Sequence, residues 1–330
     1  MDWDLRAREN AYYYIDCGHG RSEDEFWRSG EEDAARLILR GIELSADARV
    51  LEIGCGIGRL LRPLARRAQY VIGVDISGEM IRRARVALAD LSNVQLLQTD
   101  GDLDSIDEGS LDYVFSFIVF QHIVSKSAVL GYFGETTRVL RPGGLFRFQA
   151  DGRRSKGVRN PNSWSGVRFD VLELTDALAS NGFATLEVLS PNTQYMWLTA
   201  QKRSQAGGSR RAAQFHAKEW NRAELAALIA RLGHDPQKEM EGVLAGRGSL
   251  KDLASGFFQA KGELAPGEYV KQAYEAILGR PADLDGLEFY SGEIREGIDR
   301  HNVIDCLLGS PEFDERYRKF VGQPGRVQPG

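Results

Sequence analysis

The 330 residues carry 42 lysines and arginines against 47 aspartates and glutamates, a formal net charge of -5, so the chain lacks the basic surplus on which a dedicated nucleic-acid binder relies. Cys17, Cys55 and Cys306 are too few and too far apart for a disulfide framework or a metal-ligand spacing. No 18-residue apolar stretch and no basic-then-apolar leader is present. A soluble, cytoplasmic protein without a metal is expected, long enough for one sizeable α/β domain and a second module.

Residues 5–44 read as helical, with a break at Gly18-His19-Gly20. Ser29, ahead of Glu31-Glu32-Asp33, is placed to cap a helix whose core face is Leu37, Ile38 and Ile42. Tyr12-Tyr13-Tyr14 supports two readings, core packing or a lid over the site that follows. Residues 1–44 are therefore expected to be an N-terminal helical cap, with Tyr13 and Tyr14 as candidate substrate contacts.

Val50-Leu51-Glu52-Ile53-Gly54-Cys55-Gly56-Ile57-Gly58 runs an apolar strand through an acid into three glycines spaced two apart, and then into a helix. Glycine is needed where backbone turns with positive φ or lies against a ligand, and the helix N-terminus that follows offers unpaired N–H groups. The pattern is E-x-G-x-G-x-G, unlike the G-x-G-x-x-G of dinucleotide binders. Glu52 would repel a pyrophosphate but suits a cationic group. This run resembles that of the class I S-adenosylmethionine-dependent methyltransferases, and the resemblance implies a Rossmann-like seven-stranded α/β sheet over 45–203, with S-adenosylmethionine held by Glu52, Gly54, Cys55, Gly56 and Gly58.

The downstream residues keep step with that family. Val71-Ile72-Gly73-Val74-Asp75 is a second strand ending in an acid about 20 residues past the glycines, which makes Asp75 the expected ribose ligand. Ser77 is an expected N-cap; Ile76 is placed against the adenine, and Met80 either contacts it or packs in the core. Val94 to Asp102 reads as a third strand ending in acids; the resemblance puts Asp100 at the adenine amino group with Gly101 among the cofactor contacts, and Asp102 is expected in a turn or capping role. Leu111 to Phe117 is a fourth strand whose carboxyl end, at Phe117, lies over the cofactor in this architecture, with Gln121 and His122 at the mouth. Arg138 to Gln149 reads as a helix end, a Pro142-Gly143-Gly144 turn and a fifth strand.

The loop 151–166 carries Trp164 in a polar stretch at the carboxyl end of the sheet, where acceptor specificity is expected. A helix over 169–180 and two strands, 183–189 and 194–201, finish the sheet in antiparallel fashion. Gln149, Trp164 and Gln194 are candidate acceptor contacts, with loop packing as the plainer role for Trp164. Residues 204–215 read as a linker.

Residues 216–330 are expected to be an all-α module. Asn221-Arg222-Ala223-Glu224 has the form of a capping box, and helices follow over 222–232, 236–244 and from 249. Residues 267–313 resemble a small helical module of unassigned function from bacterial surface and glycan-related proteins, on the strength of Leu278-Gly279-Arg280, Asp283-x-x-Gly286 and Ser310-x-Glu312-Phe313. A fainter echo of 303–313 at 250–258 suggests a degenerate first copy. Asp283-Leu284-Asp285-Gly286 is no calcium loop, since Pro281 and Gly292 stand where ligands are required; capping by Asp283 beside Arg280 is expected instead.

Methyl transfer to a hydroxyl needs a base, and His122 has a suitable unperturbed pKa; the alternative is that it packs or bonds a backbone group. The chain is thus expected to be a methyltransferase acting on a hydroxyl of a bacterial glycan or its sugar precursor, with the C-terminal module engaging a glycan-assembly partner. A small-metabolite or nitrogen acceptor, or a cofactor-binding scaffold without turnover, are the alternatives.

Overall fold

The computed structural model describes residues 3–16, 22–153, 166–191, 193–204, 212–216, 218–244, 250–297 and 299–320; Cys17, His19 and Trp164 lie outside them. The chain forms two compact units, Met1–Val188 with Gln194–His216, and Leu189–Thr193 with Ala217–Gly330.

The first unit begins with α1 (Trp3–Asp16), interrupted where Asn10 takes extended backbone angles and its side chain accepts from the Tyr13 N–H at 3.1 Å. Helix α2 (Glu23–Asp33) is capped by Ser22 in a reciprocal box with Glu25. The expected cap, Ser29, instead lies inside α2 and donates to the Phe26 carbonyl. A π-turn over Ala34–Ile38 leads to β1 (Ile42–Leu44), so the last residues of the anticipated helical segment are a strand.

Then come β2 (Arg49–Ile53), α3 (Leu61–Ala65), β3 (Tyr70–Asp75), α4 (Gly78–Ala87), β4 (Val94–Gln98), β5 (Leu111–Ser116), α5 (Lys126–Val139), β6 (Leu140–Ala150), α6 (Val171–Ser180), β7 (Phe183–Leu189) and β8 (Met196–Lys202). The sheet order is β4-β3-β2-β5-β6-β8-β7. Strands β4 to β6 are parallel, with Ile53 level with Val74 on one side and Ser116 on the other, whereas β8 runs antiparallel to β6. The winding reverses between β2 and β5, which opens a crevice beyond their carboxyl ends.

β5 is buried along its whole length, as a strand with both faces covered must be. Phe120, Phe133, Phe146, Phe148 and Phe183 fill the core cluster that includes Leu51, Ile53 and Val114. A second, smaller cluster joins α1, α2 and the glycine loop through Ala7, Ala11, Phe26, Ile57 and Met80. Arg147, 1% exposed in β6, donates to the Leu37 carbonyl and pairs with Glu187. That bond and the one from the Tyr113 hydroxyl to the Ile38 carbonyl, at 2.6 Å, clamp the π-turn to the sheet.

The anticipated linker contributes structure of its own: β9 (Ala213–Phe215) pairs antiparallel with β1, and the Ser45 N–H reaches the Ala212 carbonyl 167 residues away in sequence.

The second unit carries β10 (Lys218–Trp220), α7 (Arg222–Arg231), α8 (Pro236–Leu244), α9 (Leu250–Ala260), α10 (Pro266–Ala273), a π-turn over Tyr274–Leu278, α11 (Leu284–Arg295), α12 (His301–Leu308), α13 (Pro311–Tyr317) and β11 (Arg318–Phe320). It is helical apart from the short antiparallel pair β10–β11. Asn221 occupies the cap of α7, but no side-chain capping bond forms; Glu224 pairs with Arg316 instead. The module's sequence signatures are structural locks. Gly279 ends the π-turn at φ 64°, Asp283 caps α11 through the Gly286 N–H, and Arg280 grips Glu312 with two bonds of 2.5 and 2.6 Å. Ser310 caps α13, while Phe313 is buried in the core with Val270, Ile277 and Ile304. Among the described residues no helix is long and apolar enough to cross a membrane.

Candidate active site

The crevice at the reversal point holds a cavity built around the glycine loop. Gly54, Gly56 and Gly58 all take left-handed backbone, at φ 77°, 54° and 88°, a region costly for residues with a Cβ. At Gly54 a Cβ would also lie 2.2 Å from the Val119 side chain. The Gly54 and Cys55 N–H groups both bond the Val74 carbonyl, which pins the loop against the end of β3.

Asp75, the last residue of that strand, accepts from the Gly56 N–H at 2.9 Å and the Ser77 N–H at 2.8 Å. Burial raises its carboxyl above the usual range, against the lowering effect of those two bonds. Ser77 caps α4 as expected, accepting from the Met80 N–H. Its hydroxyl in turn donates to Asp4 of α1 at 2.5 Å, and Asp4 also accepts the Glu79 N–H. The N-terminal helix is thereby tied to the first turn of α4.

Glu52 is 3% exposed, and its Oε2 is buried with no hydrogen-bond partner among the described residues. Burial pushes its carboxyl well above the ordinary carboxylate range; Arg59 pulls it partly back and Asp75 pushes it further up. A buried, unsatisfied acceptor is costly unless a ligand completes it. The ammonium of an amino-acid ligand would fit this position, bringing the charge and the donors that Oε2 lacks. Cys55 beside it is a thiol held protonated by burial, with Asp75 and Glu52 adding to the shift.

Glu52, Gly54, Cys55, Gly56, Asp75, Ile76, Met80, Phe117, His122 and Tyr14 all line the cavity. Ile76 is 51% exposed at its edge, whereas Met80 is buried and belongs both to the cavity wall and to the small core cluster. Gly58, Asp100, Gly101, Tyr13, Gln149 and Gln194 are not on the wall; Asp100 is exposed, and its neighbour Thr99 lines the cavity instead. Asp102 closes a turn onto the Asp104 N–H. The tyrosine run divides by residue: Tyr12 packs edge-on against Phe26, while Tyr14 reaches the cavity.

Several wall residues carried no sequence signal. Trp3 and Ile15 arrive from α1, and Tyr132 from α5. Arg59, directly after the last glycine and 3% exposed, is held by Ser29 at 3.1 Å and Asp33 at 2.7 Å. Ile118 adopts φ 56°, an outlier for a β-branched side chain. Gln149, expected to touch an acceptor, is buried in the sheet and anchors this turn, accepting the Ile118 N–H at 3.2 Å.

Comparison with known proteins agrees with this geometry. Residues 50–144 match the family described as "Methyltransferase domain", and residues 251–317 match a "Domain of unknown function (DUF4214)". A probable fatty acid methyltransferase of Mycobacterium tuberculosis is 34% identical over 116 residues, covering 35% of this chain and 27% of the relative. The demethylmenaquinone methyltransferase of Tropheryma whipplei is 30% identical over 122 residues, covering 37% and 46%. The chain therefore spans less than half the length of these relatives. An S-adenosylmethionine-dependent methyltransferase from Mesorhizobium loti superposes with a TM-score of 0.40 at 21% identity, over 52% of this chain and 97% of that one. Glycine loop, acid-ended strands and sheet order agree with that family match: the first unit holds a methyltransferase domain over residues 50–144, and the helical unit holds a domain of a family without assigned function over residues 251–317.

Proposed function

We propose that the chain transfers a methyl group from S-adenosylmethionine to a small-molecule acceptor with an apolar body. One observation carries this: besides His122, Thr99 and the polar groups that suit the cofactor, the cavity wall carries Trp3, Tyr14, Phe117, Ile118, Ile123 and Tyr132, a largely apolar and aromatic lining that favours a partner of the same kind. The relatives named for fatty acid and demethylmenaquinone substrates support the same class.

In this reading Glu52 holds the ammonium of the cofactor, Asp75 its ribose, and Ile76 and Met80 the adenine. When bound, the cofactor would supply an electrophilic sulfonium methyl group for the acceptor's lone pair. The chain's task is to orient and to exclude water, a contribution worth about 7–11 kcal/mol when the geometry is near attack. Phe117, stacked on Trp197 with centroids 5.1 Å apart, and Trp3, edge-on to the His122 ring at 5.6 Å, are the fixed walls for that purpose.

A glycan or sugar-precursor hydroxyl is the second reading, and the resemblance of the C-terminal module favours it. Methyl-labelled cofactor offered with fatty acids, quinols and glycan fractions tests both. Label in an apolar small molecule supports the proposal, label in glycan alone replaces it with the second reading, and cofactor binding with no product in any fraction supports a scaffold.

A further inference from the structure

A chain of hydrogen bonds behind the cavity ends on the His122 ring. It starts from groups whose roles cannot change. The Ile118 N–H donates to Gln149 Oε1 at 3.2 Å, and Gln149 Nε2 donates to the Gln194 carbonyl at 2.5 Å. A backbone donor on one side and a backbone acceptor on the other allow the Gln149 amide only one orientation. Gln149 Nε2 also donates to Gln121 Oε1 at 3.0 Å, which turns the oxygen of Gln121 inward and its amide nitrogen toward the histidine. That nitrogen lies 3.2 Å from His122 Nε2. Since Gln121 Nε2 can only donate, His122 Nε2 must accept, and a neutral imidazole that accepts at Nε2 bears its proton on Nδ1.

The backbone supports the relay. Residues 120–122 form a 3-10 turn, the Gly166 N–H bonds the Gln121 carbonyl at 2.8 Å and the Val167 N–H bonds the Ile123 carbonyl. A Cβ at Gly166 would lie 2.4 Å from the Ile123 carbonyl oxygen, so the approach is close. The left-handed Ile118 gains from the same arrangement, because its N–H is satisfied by Gln149.

We infer that Gln149 and Gln121 are positioning residues that hold His122 as the Nδ1–H tautomer with its Nε2 lone pair occupied, so that the neutral ring has no lone pair left to take a proton from an acceptor. The consequence rests on the methyl-transfer reading above, while the relay itself does not. For an oxygen acceptor, a base at this position is dispensable when the attacking atom is already an anion near neutral pH. A carboxylate or an acidic enol attacks with a pair it already holds and releases no proton, whereas an aliphatic hydroxyl has to lose one in the transfer. Among oxygen acceptors, the relay thus favours anions over sugar hydroxyls.

The test is the imidazole nitrogen spectrum of the full-length, nitrogen-15-labelled protein, with His122 assigned by the loss of its signals in His122→Asn. In the wild type, the neutral ring should show a protonated Nδ1 and an unprotonated Nε2. Gln121→Glu places an acceptor where the relay had a donor, and should move the proton to Nε2. Gln149→Met frees the Gln121 amide to turn and should give a mixture of tautomers, a change that packing loss alone would not produce. A wild-type ring protonated on Nε2 overturns the inference, as does the same tautomer in wild type and Gln121→Glu. Should either variant fail to fold, the wild-type spectrum decides by itself. Failure of the wild type to bind S-adenosylmethionine in calorimetry would refute the proposed function and leave the tautomer result standing.

Discussion

Replacing Glu52 by glutamine separates the cost of burying a charge from the use made of it. In the unliganded chain the carboxyl is enclosed, its Oε2 has no partner among the described residues, and burial has raised its pKa. An amide of the same shape removes the charge that burial penalises, so Glu52→Gln should be at least as stable as the wild type without ligand. With ligand the order reverses. The cofactor's ammonium loses a charge-assisted partner worth about 1.5–3 kcal/mol, a fall in affinity of about 10- to 150-fold. The pH dependence has a definite sign. A carboxyl whose folded pKa lies above its unfolded value favours the native state most below the unfolded value, and that contribution is lost as pH rises through the folded one. Pairing with a cation requires the carboxylate, so cofactor affinity should rise with pH across the same window, with a proton released on binding. Glu52→Gln should flatten both trends. Titration calorimetry at several pH values, beside thermal unfolding of both unliganded proteins, reads all of these quantities. A variant that binds as tightly as the wild type, or that is less stable without ligand, would refute the reasoning.

Four further outcomes are expected. Asp75→Ala should weaken cofactor binding by about 1.5–3 kcal/mol and also free the Gly56 and Ser77 N–H groups it now holds; unchanged affinity in calorimetry would remove Asp75 from the ribose site. Gly54→Ala combines a left-handed backbone with a Cβ driven into Val119, and should cost about 2–5 kcal/mol in denaturant unfolding; a neutral effect would mean the loop relaxes freely. A chain ended after His216 should keep wild-type cofactor affinity. One ended after Lys202 should unfold about 1–3 kcal/mol more easily, because it loses the β1–β9 pairing; equal melting of the two would show that the pairing contributes nothing. Arg280→Met removes both bonds to Glu312, yet each side chain is more than one third exposed, so screening should limit the loss to about 1 kcal/mol. A loss several times larger in chemical unfolding would mark that pair as a keystone of the helical unit.

The features legible in the amino-acid order were local ones. The glycine loop, Asp75 at a strand end, Ser77 capping α4, Asp283 capping α11 and the two domain types could all be read because turn geometry, caps and strand periodicity are set by residues within a few positions of one another. The same locality explains the misreadings. Ser29 had the composition of a cap but sits inside a helix begun seven residues earlier by Ser22, whereas Asn221 does occupy the cap of α7 yet forms no box, because the partner of Glu224 is Arg316 at the far end of its unit. The cavity wall and the surroundings of His122, by contrast, are assembled by long-range packing. Trp3 meets His122, Arg59 meets Asp33, Gln149 meets both Ile118 and Gln121, and β9 finds β1. Each of these contacts joins parts of the chain that no spacing rule connects. Those around Gln149 and His122 form because winding β5 and β6 onto the far side of β2 brings distant strand ends to a single crevice, where a buried polar group must find its partner among whatever the fold delivers.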